Sequence, residues 1–286
     1  MAYHFSNILG HFIIDNSFKE IRKAQKESKD VKIEEFPQQK LSIVLELFKD
    51  KKYFTEFYEK NIDISKQALK KSVTEDQLII QAISNVQELD KICNILTKRL
   101  REWYSWYNPE LCEEVKDNEK FAELVLTEKR GKESMGADLD KPHLDEMNLL
   151  AKEIGEMFQL RKTHEAYLQK VLLDYCPNLV ELAGVTISAK LIELGKSLKH
   201  LALLPASTIQ LLGAEKALFR HIKTGARSPK YGVIFAHPLI QNSKRSDRGK
   251  ASRMLADKLS LCARLDFFKG EFKAKEFRKE LEEKLR

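Results

Sequence analysis

Basic residues are phased along one predicted helix, in a spacing suited to contact with a polyanion. Capping residues begin the segment 207–225 and a glycine ends it, which predicts a helix of about four turns. Lys216, Arg220 and Lys223 stand at i, i+4 and i+7 and therefore share one face. Apolar residues on another face are expected to pack on the domain core: Leu211, Leu218 and Ile222. Lysine and arginine neutralise phosphates, so the helix is a candidate nucleic-acid contact, although a merely solvated basic face has the same pattern.

More basic residues follow this helix and enlarge the candidate surface. The predicted RNA-binding residues are Lys216, Arg220, Lys223, Arg227, Lys230, His237, Lys244, Arg245 and Arg248. The last three cluster with Lys250 and Arg253 around the start of the next predicted helix, and two such clusters can form one groove. His237 is included because an imidazole stacks on or hydrogen-bonds to unpaired bases, with a structural role as the equal alternative.

The charge of the chain is divided unevenly along its length. The net formal charge is +7, yet residues 184–286 carry 22 basic and 10 acidic residues against 28 and 33 in residues 1–183. The densest stretch, 195–253, holds 12 basic and 2 acidic residues. Such a basic stretch is typical of proteins that bind a phosphate backbone.

The motifs of the common catalytic sites are missing from the sequence. Gly249 and Lys250 resemble the end of a phosphate-binding loop, but Ala251 replaces its hydroxyl residue and Lys244 its first glycine. No dinucleotide-binding, metalloprotease or nucleophile-elbow motif occurs, and the seven histidines are scattered. We therefore expect no metal and no cofactor. A free-standing enzyme acting on RNA, with His237 or Glu215 as catalyst, remains the alternative from another functional class.

Length and composition are those of a helix-rich intracellular protein. The 286 residues are 43% apolar and 33% charged, with 11 glycines and 7 prolines. No apolar run reaches the roughly 20 residues of a membrane span, and the N-terminus does not resemble a secretory signal. The four cysteines are far apart. We expect a cytoplasmic protein with no membrane contact.

Hydrophobic periodicity divides the chain into three parts. Residues 12–14 and 31–36 are typical of strands and 41–48 of a helix, which predicts a small α/β unit. Two later series of apolar residues then step by alternating threes and fours, from Ala82 to Tyr107 and from Met147 to Tyr175. This period predicts an antiparallel coiled-coil hairpin, and the short helices after it predict a compact α unit.

Two polar residues and two tryptophans stand in or beside the seam of the predicted hairpin. Arg161 and His164 occupy seam positions, so they either specify a dimer together with Met157 or lie where the hairpin splays. Trp103 belongs to the seam, and Trp106 is expected to pack at the hairpin's end rather than to form a recognition pair with it.

Five sequence motifs carry a resemblance to a known family: 213–220 (GAEKALFR), 224–237 (TGARSPKYGVIFAH), 248–259 (RGKASRMLADKL), 100–111 (LREWYSWYNPEL) and 134–136 (SMG). Together they resemble the Nop-domain core proteins of box C/D small guide ribonucleoproteins. The resemblance covers the chain from residue 74 onward, and the short length favours the archaeal member. The residues before it match in character only.

The resemblance implies a mainly α scaffold without catalytic activity, in three domains. They are a small α/β N-terminal domain, 1–73, that binds the methyltransferase fibrillarin; a long antiparallel coiled-coil hairpin, 74–178, that dimerises; and an all-α C-terminal Nop domain, 179–286. The Nop domain would bind box C/D kink-turn guide RNA together with a small ribosomal-protein-like kink-turn-binding protein, for 2′-O-ribose methylation. Residues expected to meet that protein are Gly213, Ala214, Glu215 and Lys216. A spliceosomal-type Nop-domain assembly factor is a further alternative.

Overall fold

The computed structural model describes residues 2–15, 17, 21–23, 33–35, 40–128 and 130–285, in two compact units, Met1–Thr74 and Glu75–Arg286. The strands are β1 (Ala2–Asn7), β2 (Gly10–Asp15), β3 (Ile21–Lys23) and β4 (Ile33–Glu35). The helices of the first unit are α1 (Leu41–Leu47) and α2 (Lys51–Ser72). Those of the second unit are α3 (Glu75–Tyr104), α4 (Pro109–Glu114), α5 (Asn118–Thr127), α6 (Lys141–Tyr175), α7 (Pro177–Ala183), α8 (Val185–Gly195), α9 (Leu198–Leu203), α10 (Ala206–Leu211), α11 (Glu215–Thr224), α12 (Pro238–Gln241), α13 (Arg248–Phe267) and α14 (Ala274–Leu285). None of these helices is both long and apolar enough to cross a membrane.

The first unit is a four-stranded sheet followed by two helices. The strand order is β3-β2-β1-β4, in which only the β1–β4 pair is parallel. Ile14 of β2 and Val44 of α1 are fully buried against each other, with the ring of Phe48 beside them. The predicted α/β character is confirmed. The ends of the strand predicted at 31–36 lie outside the described residues, and its middle is β4.

The second unit begins with the predicted hairpin of α3 and α6. Ile83, near the start of α3, shares a core with Leu172, near the end of α6, whereas Leu100 at the other end of α3 shares one with Met147. The two helices are therefore antiparallel, as the seam period predicts. Their connection contains two further helices, α4 and α5, which the seam period does not predict. Each begins with a side-chain cap, Asn108 for α4 and Asp117 for α5.

The arginine at the polar seam position of the hairpin is ion-paired inside the chain. The Arg161 guanidinium lies 2.6 Å from the Asp90 carboxylate on α3 and 3.0 Å from Glu165 on its own helix. Met157 packs against the core that contains Leu100 and Met147, and His164 is half-buried. Met157 and Arg161 are therefore in contact between α3 and α6 within one chain, and the dimer role of Met157, Arg161 and His164 stays a prediction.

The rest of the second unit is a compact bundle around α13. Its core is apolar, and one buried polar side chain, Asn178, joins three elements of it. The Asn178 amide donates to Asp266 at the end of α13 at 2.9 Å, and its oxygen accepts from the backbone of Lys273 and Ala274 at the start of α14. The all-α character predicted for this region is confirmed, and this bundle carries the basic residues.

Candidate nucleic-acid interface

The turn before α11 presents the predicted contact to the kink-turn protein. Gly213 has φ +85°, a left-handed conformation that favours glycine, and its N–H donates to the Glu215 carboxylate at 2.7 Å. The Ala214 N–H donates to the Leu211 carbonyl at 2.9 Å. Gly213, Glu215 and Lys216 are exposed at the start of α11. The motif therefore forms a fixed corner whose side chains face solvent.

Helix α11 stands out from the domain instead of packing on it. Lys216, Arg220 and Lys223 are exposed on one face, as expected, but the helix has no buried residue. Ile222 is 69% exposed, so the expectation that it packs on the core is wrong. Phe219, 61% exposed, is a second apolar residue that sequence analysis missed, because an apolar residue in a helical pattern is ordinarily assigned to a core. The helix thus offers cations and apolar side chains together.

Backbone pairing fixes the loop after α11 against the turn before it. The Gly232 N–H donates to the Gln210 carbonyl at 2.8 Å, and the Val233 N–H donates to the Leu212 carbonyl at 2.7 Å. A Cβ on Gly232 would lie 1.9 Å from the Leu212 carbonyl oxygen, so only glycine permits this approach. At the other end of the loop, His221 Nδ1 contacts the Ala226 carbonyl. These bonds set the backbone that carries Arg227 and Lys230.

The loop joins the two predicted basic clusters. A Cβ on Gly249, at the start of α13, would lie 3.5 Å from the Cδ of Lys230. Beyond it, Lys244 and Lys250 line a depression of about 420 Å³ together with Lys284 of α14. Sequence analysis missed Lys284 because only the fold brings α14 to this place. The basic surface therefore includes the first turn of α13 and the end of α14.

The exposed cations of this surface are not neutralised by carboxylates. No ion pair within 4.0 Å involves any of the following among the residues that the structure describes: Lys216, Arg220, Lys223, Arg227, Lys230, Lys244, Arg245, Lys250 and Arg253. Two acidic residues in 195–253 cannot balance twelve basic ones. The positive potential is therefore open to an external anion.

Two predicted RNA-binding residues have structural roles. His237 is 6% exposed; its Nε2 lies 2.9 Å from the Leu182 carbonyl and its Nδ1 accepts from the Leu239 N–H at 3.2 Å. Burial lowers the pKa of this imidazole and keeps it neutral, so it is not available to stack on a base. Arg248 is half-buried, and its guanidinium donates to the carbonyls of Ser243 and Gln241. The expectation for His237 is corrected, whereas RNA binding by the half-exposed Arg248 stays a prediction.

The described residues contain no cluster of histidine, cysteine, aspartate and glutamate that is able to hold a metal ion. Glu215 is occupied by the Gly213 N–H, and His237 is enclosed.

Comparison with known proteins identifies the family to which the chain is similar. A family model described as "Nop: snoRNA binding domain, fibrillarin" matches residues 85–135 and 126–286. A NOP5 family protein of Methanocaldococcus jannaschii is 38% identical over 248 residues, 78% of this chain and 60% of that protein. Nucleolar protein 56 of Schizosaccharomyces pombe is 36% identical over 222 residues, 68% of this chain and 45% of that protein. Nucleolar protein 58 of Saccharomyces cerevisiae is 38% identical over 215 residues, 67% of this chain and 42% of that protein.

The fold also has a solved counterpart. A chain in the crystal structure of a fibrillarin/Nop5p complex aligns over 99% of this chain and 100% of its own length, with a TM-score of 0.50 and 24% identity. That likeness supports the fold, while the chain spans only 42–60% of the sequence relatives above. The fungal relatives are nucleolar proteins by name, so the cytoplasmic assignment made from the sequence is wrong.

Proposed function

Since the chain belongs to the Nop family, we propose that it is a scaffold of a box C/D guide ribonucleoprotein. It would bridge the methyltransferase fibrillarin to kink-turn guide RNA and its kink-turn-binding protein, for 2′-O-ribose methylation. The observation that carries the proposal is the unneutralised basic surface formed by α11, its following loop and the start of α13. A backbone-tracking surface of this kind binds RNA through counterion release.

The guide RNA is assigned to the exposed cations of this surface, Lys216, Arg220, Lys223, Arg227, Lys230, Lys244 and Arg245. The kink-turn-binding protein is assigned to the fixed corner at 213–216. The exposed side chains of Phe219 and Ile222 support a composite site, because they add an apolar contact beside the cations of the same helix. Such a site gains full affinity only when RNA and protein are both present.

Fibrillarin is assigned to the N-terminal domain, 1–73. Its long helix α2 has no buried residue, and an apolar face runs along it. The rings of Phe54 and Tyr58 stack on each other at 6.4 Å and are 69% and 58% exposed, and Leu69 further along is 68% exposed. An exposed apolar face of this length is a surface for a folded partner.

Self-association is assigned to the outer faces of the hairpin, within the domain 74–178. Ile92 and Ile95 of α3 are 43% and 67% exposed, and Leu149 and Leu160 of α6 are 53% and 48% exposed. Among the residues that the structure describes, these side chains remain exposed, whereas Met157 and Arg161 are in contact inside the hairpin. A second copy of the hairpin would cover them in a dimer.

The chain itself would not catalyse methylation. Glu215 and His237, the candidates for catalysis, are held in structural hydrogen bonds. The decisive experiment incubates guide and target RNA with a methyl donor and the purified chain, with and without fibrillarin and the kink-turn-binding protein. Methylation only in the complete mixture supports the scaffold, whereas turnover by the chain alone contradicts it.

A further inference from the structure

Two large apolar side chains are exposed on neighbouring backbone segments at the distal end of the hairpin. Trp106 is 65% exposed and Met135 is 88% exposed. Their backbones are neighbours, since the Ala137 N–H donates to the Trp106 carbonyl at 2.7 Å. The packing role expected for Trp106 is therefore wrong. We call Trp106, Met135 and the loop 130–138 the distal platform.

The loop of the distal platform is held by an enclosed arginine. The Arg130 side chain is 14% exposed and pairs with Asp138 at 2.8 Å. Its guanidinium donates to the carbonyls of Ser134, Gly136 and Ala137, and lies 5.1 Å from the ring of Tyr107. One enclosed cation thus fixes three carbonyls of a surface loop.

A carboxylate fixes the residue that the loop presents. Glu110 accepts from the Ser134 hydroxyl at 2.7 Å and from the Met135 N–H at 2.8 Å. A Cβ on Gly136 would lie 2.0 Å from the Tyr107 carbonyl oxygen, so the loop lies directly on the chain beside Trp106. Both exposed side chains therefore stand on ordered backbone, which lowers the entropy lost when a ligand binds.

The surroundings of the distal platform are acidic. Residues 105–140 contain 10 acidic and 5 basic residues, the reverse of the balance in 195–253. Glu133 and Asp138 are exposed within the loop itself. RNA is repelled by such a surface, whereas a basic polypeptide is attracted.

We propose that the distal platform binds an arginine- or lysine-bearing segment of a protein partner. The cation would lie over the face of Trp106 and its aliphatic stem on Met135, and the net acidic charge of residues 105–140, with the exposed Glu133 in the loop, would supply the opposite charge. This site is separate from the RNA surface, and it gives the scaffold a protein contact that is independent of guide RNA.

The test uses the full chain and a fluorescein-labelled 15-residue peptide in which arginine, lysine and leucine alternate. Binding is followed by fluorescence anisotropy at physiological ionic strength, with a glutamate-for-arginine peptide and a 15-nucleotide oligouridine RNA as comparison probes. Trp106→Ala and Met135→Ala are expected to weaken binding of the basic peptide about tenfold each. Trp106→Phe should retain most of it, and Phe268→Ala, which removes an equally exposed ring elsewhere, should have no effect.

Three results would overturn the proposal. They are an absence of saturable binding by the basic peptide, equal binding by wild type and both alanine variants, or loss of oligouridine binding in those variants. Thermal unfolding of each variant is measured alongside, and an unchanged midpoint excludes misfolding as the cause. Assembly with kink-turn RNA is expected to persist in Trp106→Ala, which separates failure here from failure of the proposed function.

Discussion

The His237 imidazole bridges two elements of the C-terminal bundle: its Nε2 is 2.9 Å from the Leu182 carbonyl of α7, while its Nδ1 accepts from the backbone at the start of α12. An acceptor Nδ1 and a donor Nε2 define the neutral ring. Protonation would place a hydrogen on Nδ1 and break the bond from the Leu239 N–H. Stability of this bundle is therefore linked to pH.

We expect stability to fall on acidification because of this ring. Burial lowers the pKa of His237 in the folded state below its ordinary value. Between the folded and the unfolded pKa, the imidazole is therefore protonated in the unfolded chain and neutral in the folded chain. The stabilisation is complete above about pH 6.5 and is lost progressively as the pH falls toward the folded pKa. Denaturant unfolding over a pH series measures it. Asparagine at 237 still caps α12 and does not titrate, so His237→Asn should flatten this dependence; an unchanged slope would contradict the assignment.

Removing three cations should change how salt affects RNA binding. Each phosphate contact contributes slightly less than one unit to the slope of log affinity against log salt. Replacing Lys216, Arg220 and Arg227 with alanine should therefore lower the slope magnitude by about two to three, with binding weakened at low salt. Filter binding of kink-turn RNA loaded with its protein provides the measurement. Lys98→Ala, which removes an exposed lysine of α3, is the control. A triple variant with the same salt slope as the wild type would show that this face of α11 does not contact the RNA.

Gly232 should tolerate no side chain. Its Cβ position lies 1.9 Å from the Leu212 carbonyl oxygen, so Gly232→Ala must separate the loop from the turn before α11. We expect a loss of about 1–3 kcal/mol in unfolding free energy, together with weaker ternary assembly. Gly131→Ala is the control, because nothing lies within 4 Å of its Cβ position. Equal stability of the two variants would show that the close approach does not constrain the loop.

Self-association should depend on the outside of the hairpin and not on its seam. Ile95→Lys places a charge on an exposed apolar face and is expected to weaken self-association at least about tenfold. Arg161→Ala removes an ion pair whose side chains are 26% and 46% exposed, and should cost under about 1 kcal/mol of stability without changing the oligomer. Sedimentation equilibrium distinguishes the two variants. A monomeric Arg161→Ala protein would restore the seam interpretation.

The elements that the sequence predicts well are those in which apolar residues recur at a constant spacing over many turns. Helices α3 and α6 repeat the seam over eight or more turns, so their pairing follows from spacing alone. Helices α4 and α5 have 6 and 10 residues, too few for a period, and only their caps at Asn108 and Asp117 indicate them.

The incorrect assignments of individual residues share a cause. The apolar character of Ile222 and Trp106 predicts packing, but both side chains are exposed. For His237 the sequence leaves RNA binding and a structural role as equal alternatives, and its burial decides for the structural role. Burial depends on which element packs on which, and that packing is not encoded in the local pattern. The phasing of Lys216 with Arg220, by contrast, depends only on helix geometry and is observed as predicted.

The lack of any buried residue in α11 has a thermodynamic consequence. A helix of ten residues is marginal by itself, so in the free chain its order rests on its two ends, the corner at Gly213 and the cap at Gly225. Part of the binding free energy of the first ligand is offset by the conformational entropy that α11 loses when it becomes ordered. The second ligand then binds a helix that is already ordered. Cooperativity between RNA and protein would follow from this alone, without any change of shape elsewhere.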